Sequence, residues 1–304
     1  MNKGSNSLLR RFLYSQKVAP YVFILPFVLS LLIFFLYPII KTVILSFQNV
    51  GGMGDSNAFI GFKNYRSLLN IHFFTAICNN IVYTILMIVL AIPIPILLAV
   101  LLNSKDMPGQ KIFRATLFIP SLTSIIVAGI VFRLLFAENA TAPVNALIHL
   151  FGLPAIAWQR DTRFSMFLMV VLSLWSVIGI NVIYFLSGLQ SISADLYEAA
   201  DIDGAGYWAK LIFITIPQLK SIMIYVLTVT IYGGFSMFAQ SFVFWQTSSP
   251  EDSGLTMIGY LYQQGFAQGN LSVAYATGIV LVVIVFFLNI IQLHFFGLFK
   301  KEDA

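Results

Sequence analysis

A few groups able to hydrogen-bond stand inside long apolar runs of this chain: Asn181 within 165–187, and Thr230, Gln240 and Ser241 within 221–245. An amide or hydroxyl taken from water without a partner costs roughly 2–7 kcal/mol, so each must meet either a neighbouring helix or a bound solute. Thr230, Gly234, Met237 and Ser241 recur at i, i+4, i+7 and i+11, which places them on one helical face with Gln240 beside it. Amides and hydroxyls of this kind, with the flat rings of Tyr232, Phe235 and Trp245 near them, suit a neutral polyhydroxylated solute. Its hydroxyls would bond the amides and its C–H faces would lie on the rings. The same side chains could equally act as interhelical hydrogen bonds, with Gly233–Gly234 as a point of close packing. Asn181, Thr230, Gly234, Met237 and Gln240 are therefore the candidate solute contacts.

Covalent chemistry finds no such support. No Ser-His, His-Glu-x-x-His or paired-carboxylate arrangement lies within an apolar run, and no Gly-x-x-x-x-Gly-Lys-Ser/Thr phosphate loop is present. Cys78 is the only cysteine, which excludes an intrachain disulfide, and His72, His149 and His294 share no ligand spacing, so no metal site is expected.

The elements that must carry these residues follow from composition. Apolar residues make up 59% of the 304 and charged residues 10%, far from the values of a soluble domain. The runs 21–40, 80–102, 115–132, 165–187, 221–245 and 274–299 hold no Lys, Arg, Asp or Glu. Each is about as long as the ~18–20 residues a helix needs to cross a bilayer. Continuous runs do not resemble the alternating ~10-residue strands of a barrel, so the fold class is an all-α membrane protein with six transmembrane helices. The first run is too long for a cleaved signal and ends in Tyr37-Pro38, which identifies it as a retained span. One domain is expected: a basic segment over 1–20, a helical domain over 21–299 and a tail over 300–304.

Orientation follows from the basic residues, which are retained on the cytoplasmic side. With the N-terminus inside, Lys3, Arg10, Arg11, Lys17, Lys105, Lys111, Arg114, Lys210, Lys300 and Lys301 are cytoplasmic. Lys41, Lys63, Arg66, Arg133, Arg160 and Arg163 are then external, a split of ten to six with Lys220 unassigned. The 246–273 loop carries Glu251 and Asp252 but no Lys or Arg, as an external loop should. Asn79-Asn80, Asn289 and Gln292 fall near the ends of runs and are expected at the membrane interface, while Arg133 and Lys220 snorkel to headgroups.

Between the fourth and fifth runs the chain reads Glu198-Ala199-Ala200, three residues, Gly204, nine residues, then Ile214-Thr215-Ile216-Pro217. This resembles the EAA motif of ATP-binding-cassette importer permeases, with Ile216 where the family usually has Leu. Phe59-Ile60-Gly61-Phe62-Lys63-Asn64-Tyr65, Phe113-Arg114 through Pro120, Trp175-x-x-x-Gly179-x-Asn181 and Gly188-Leu189-Gln190-Ser191-Ile192 resemble segments of the carbohydrate branch, the maltose and glycerol-phosphate type. The residues themselves make local sense. Asp195 can cap a short helix with Glu198 in its first turn, Ala199 and Ala200 permit close approach, Gly204 frees the chain to turn, and Pro120 should kink the third span.

The resemblance implies a MetI-like, type I importer permease fold in a bacterial or archaeal cytoplasmic membrane, with both termini cytoplasmic. It implies coupling helices in the loop 191–210, where Glu198, Ala199, Ala200, Asp201, Asp203, Gly204, Ala205 and Gly206 meet a separate ATPase. The chain itself would be a non-catalytic subunit moving a mono- or oligosaccharide by alternating access. ATP and Mg would be bound by two ATPase subunits, and the other partners would be a second homologous permease and an extracytoplasmic solute-binding protein. A polyol or glycerol-phosphate importer is the alternative within the class, and an ion-coupled secondary transporter the reading from another class. That last reading requires intramembrane acids, which the six runs lack. Ser248-Ser249-Pro250 departs from the family's usual Gly-Gly-Pro after the fifth span, which leaves the geometry of that loop open.

Overall fold

Backbone groups in hydrocarbon must be satisfied within their own segment, and the apolar runs do this as helices. The computed structural model describes residues 16–50, 58–104, 108–246 and 248–296. The segment 1–15 and the 300–304 tail of the expected domain plan lie outside the described residues.

Helix α1 (Ala19–Ser46) is followed by a two-stranded antiparallel ribbon, β1 (Gln48–Asn49) and β2 (Ala58–Phe59), and by the short α2 (Lys63–Ser67). Next come α3 (Ile71–Leu102), α4 (Gln110–Leu122), α5 (Ile125–Leu135) and the short α6 (Pro143–Leu150). The long α7 (Thr162–Leu189) leads into α8 (Ala194–Ile202) and α9 (Tyr207–Lys210), the latter running on through a π turn at Leu211–Thr215. Then follow α10 (Lys220–Phe235), α11 (Ala239–Trp245), α12 (Met257–Tyr262) with a π turn at Gln263–Ala267, and α13 (Leu271–Phe295).

Helix α7 is the axis of the bundle and packs on both halves of α3, on α4 and on α10. Its inner face joins Ile96 and Ala99 of α3 to Val182 and Phe185 of α7 and Val226 of α10. Gly179 lets α4 come close: a Cβ there would stand 1.9 Å from the Leu117 carbonyl oxygen. The other flank is built by α13 against α12, α10 and the second half of α1. Asn64 ties this flank together by donating to the Ser46 and Gln48 carbonyls at 2.8 and 2.9 Å. In α1 only Ser46 is buried.

Sequence expectations meet the structure at four points. The third span bends, as expected of Pro120, with α4 and α5 meeting at 98°. Pro120 weakens the ladder there, and extended backbone at Thr123 and Ser124 makes the corner. The fifth span breaks after Phe235, so the single face argued for Thr230, Gly234, Met237 and Ser241 ends at the break. The second helix starts at Ile71, capped by the Asn70 side chain, so Asn80 lies well inside that helix and is 0% exposed. Gln292 is likewise buried, and donates to the Ile224 carbonyl and the Thr228 hydroxyl.

Candidate functional site

The loop between α7 and α10 presents a helix that touches little of its own chain. Ser193, not Asp195, caps α8: its hydroxyl accepts the Asp195 N–H at 3.3 Å, and Asp195 takes the first turn, where its charge opposes the helix dipole's positive end. No residue of α8 is buried. Glu198, Ala199, Asp201, Asp203, Gly204 and Gly206 are exposed, Ala200 and Ala205 half-buried. Gly204 has φ +74°, and the Ala205 N–H returns to the Ala200 carbonyl at 2.8 Å, which ends the helix and turns the chain. Ile202, 88% exposed, and the exposed Trp208 and Phe213 leave apolar area uncovered beside it. Two contacts hold α8 to the bundle: the Tyr197 and Thr215 hydroxyls 2.9 Å apart, and an ion pair of Lys210 with Asp201. A cavity of about 270 Å³ lies behind them, between α8, α9 and the end of α3.

A second feature sits within the spans. Four helices enclose about 200 Å³ lined by Tyr83 and Met87 of α3, Ser173, Asn181 and Tyr184 of α7, Thr230 and Gly234 of α10, and Gln240 of α11. No Lys, Arg, Asp, Glu or His is among the lining residues. Asn181, Thr230, Gly234 and Gln240 are thus brought together. Met237 is not in the lining: it is 2% exposed and packed with Tyr83, Met87 and Met169.

Local bonding shows which of these groups are already engaged. The residue four beyond Ala91 is Pro95, which has no N–H, and Asn181 Nδ2 supplies the missing donor to the Ala91 carbonyl at 2.8 Å. Gly234 accepts from Asn80 Nδ2 at 2.7 Å, and a Cβ on it would lie 2.0 Å from the Thr84 hydroxyl. Thr230 donates to the Val226 carbonyl at 2.7 Å, which leaves its lone pairs as acceptors. Ser173 is 2% exposed, and its hydroxyl has the Tyr83 phenol as its polar neighbour. Both border the cavity.

Sequence reasoning did not single out Tyr83, Met87, Ser173 or Tyr184. A signal was there for two of them. Ser173, Val177, Ile180, Asn181 and Tyr184 fall at i, i+4, i+7, i+8 and i+11, the same stripe rule applied to the fifth span. Tyr83 and Met87 lie about ninety residues earlier, where nothing local marks them.

Residues 72–297 match the model of the family described as binding-protein-dependent transport system inner membrane component. The chain belongs to that family. As a permease subunit it is a non-catalytic translocation component and a multi-pass membrane protein. It is 47% identical over 298 residues to the arabinooligosaccharides transport system permease protein AraP of Halalkalibacterium halodurans, covering 98% of this chain and 94% of the relative. The lactose transport system permease protein LacF of Rhizobium radiobacter is 29% identical, with 97% and 98% covered. Among solved structures, a bacterial alginate importer superposes with a TM-score of 0.83 at 22% identity, over 99% of this chain and 100% of that one. At that identity the likeness carries the fold alone. A second structure of the alginate importer, in complex with its pentasaccharide-bound periplasmic protein, superposes equally well, at 23% identity over 99% of both chains.

Proposed function

We propose that this chain carries a neutral oligosaccharide, arabinose oligomers being the first to test, as one of two permease subunits of an ATP-driven importer. The observation that carries the reading is the uncharged cavity between α3, α7, α10 and α11, lined by a buried serine hydroxyl, two phenols and two amides. A phosphorylated polyol or an acidic sugar needs cations where it binds, and none lines the cavity. An ion-coupled carrier needs a carboxylate there, and none is present among the lining residues.

In this reading α8 is the coupling helix, cytoplasmic like both termini. Glu198 to Gly206 seat it in a groove of one of two ATPase subunits that bind ATP and Mg. Its exposure and the apolar Ile202, Trp208 and Phe213 around it are what such a seat would cover. The second permease would cover the apolar length of α1. ATPase closure would pull α8, and through Tyr197–Thr215 the root of α10, so that the cavity opens alternately to each side.

The test is purification of the tagged chain in mild detergent with its complex, followed by ATP hydrolysis with a sugar-loaded binding protein. Co-purification of an ATPase and stimulation by arabinose oligomers are expected. Gly204→Asp should abolish stimulation while membrane yield stays at the parent level. Normal stimulation in that variant would sink the coupling assignment.

A further inference from the structure

At the end of the bundle opposite α8, a groove of about 620 Å³ runs between the start of α3, the 248–252 turn and α12 with its π turn. Every residue lining it except Ala267 is polar, and none is Lys or Arg. Its one carboxylate, Asp252, is bonded to His72. The floor is already assembled. Asn70 accepts the Phe73 N–H on Oδ1 and donates Nδ2 to the Tyr260 hydroxyl at 2.9 Å, while Asn79 donates to the Asp252 and Leu255 carbonyls.

Over this floor stand Gln264 and Gln268, whose side-chain amides are unbonded among the described residues. The π turn puts them there. Its wider winding carries the Gln268 N–H back to the Gln263 carbonyl at 2.9 Å and places three glutamines along one groove wall. Gly265 lets that turn lie against α13, since a Cβ on it would meet the Ala274 Cβ at 2.9 Å. Each free amide offers an acceptor and two donors, the complement of neighbouring hydroxyls on a sugar. The lack of Lys and Arg disfavours a phosphate or a uronic acid.

Resting on the importer reading above, we propose that this groove is a second saccharide site, which holds the trailing units of a neutral oligosaccharide whose leading unit reaches the cavity between the spans. His72 at the groove and Tyr83 at the cavity lie on one face of α3, eleven residues and so roughly 16 Å apart along the axis. The inner cavity, at about 200 Å³, has room only for a short piece of such a chain. The groove therefore acts on chain length.

The test is uptake into proteoliposomes by the complete complex, with saturating binding protein loaded with either arabinobiose or arabinotetraose. In the double variant Gln264→Leu, Gln268→Leu, the ratio of tetraose to biose uptake is expected to fall about tenfold, with the ATPase still co-purifying. An unchanged ratio overturns the proposal. Equal losses for both sugars, with weaker binding of the sugar-free binding protein to the complex, make the groove a protein-docking surface and overturn it as well. A parent complex that takes up neither sugar removes the importer reading together with this inference. Parent uptake with an unchanged variant ratio removes the inference alone.

Discussion

Asn181 touches both the stability of the bundle and its cavity, and a double-mutant cycle separates the two. Asn181→Leu removes the donor that satisfies the Ala91 carbonyl where Pro95 cannot. Asn181 is 7% exposed, so water does not replace the bond freely, and a buried acceptor left alone costs about 1–3 kcal/mol. Pro95→Ala restores an N–H four residues beyond Ala91. In that background Asn181→Leu should cost about 1–2 kcal/mol less, and the difference is the coupling between the two positions. The assay is denaturant unfolding of the four proteins in one detergent, with uptake by the matching complexes alongside. Costs that add to within about 0.5 kcal/mol would refute the argument that Asn181 serves the proline break. Stability restored in the double variant without uptake would assign Asn181 a contact with the sugar as well.

Two neighbouring tests use geometry of other kinds. Gly179→Ala should destabilise by about 3 kcal/mol, because the new Cβ meets the Leu117 carbonyl, a backbone atom that cannot step aside. Gly233→Ala, with open space at its Cβ, should change stability by under about 1 kcal/mol; paired thermal melts decide. Asp161 caps α7, and its hydrogen bonds from the Arg163 side chain and backbone hold its carboxyl below the ordinary 3.8. A lowered carboxylate pKa gives stabilisation that is complete above the ordinary value and lost as pH falls through the lowered one. Asp161→Asn should therefore increase exchange of the Arg163 amide at pH 6, and the two proteins should converge once the pH passes below the carboxylate range. A difference that persists there would refute the assignment.

The sequence reading was strongest where the physics is local. Six uncharged runs are six candidate spans because hydrocarbon demands apolar side chains and satisfied backbone, and the described residues hold five helices long and apolar enough to span and one bent pair. Gly204 was legible as a turn because an exposed helix end needs a residue that accepts φ +74°. Boundaries were less legible. Ile71 to Asn79 carry no formal charge either, so the second span extends over them once Asn70 supplies a cap. The break after Phe235 follows a Gly-Gly pair that hydropathy does not register.

What the chain alone determined is that it spans a membrane, and that its six apolar runs hold no Lys, Arg, Asp or Glu with which to bind or relay ions. Which polar groups meet was decided only in three dimensions. Ser173, Tyr83 and Gln240 share a cavity because Gly179 and Gly234 let backbones approach and so set the azimuth and depth of α4, α7, α10 and α3 against one another. Hydropathy and spacing report on one helix at a time, whereas a cavity is set by the distance and rotation between helices. The same limit explains Asn181: its type and place were visible, but the carbonyl it satisfies belongs to a proline break ninety residues away.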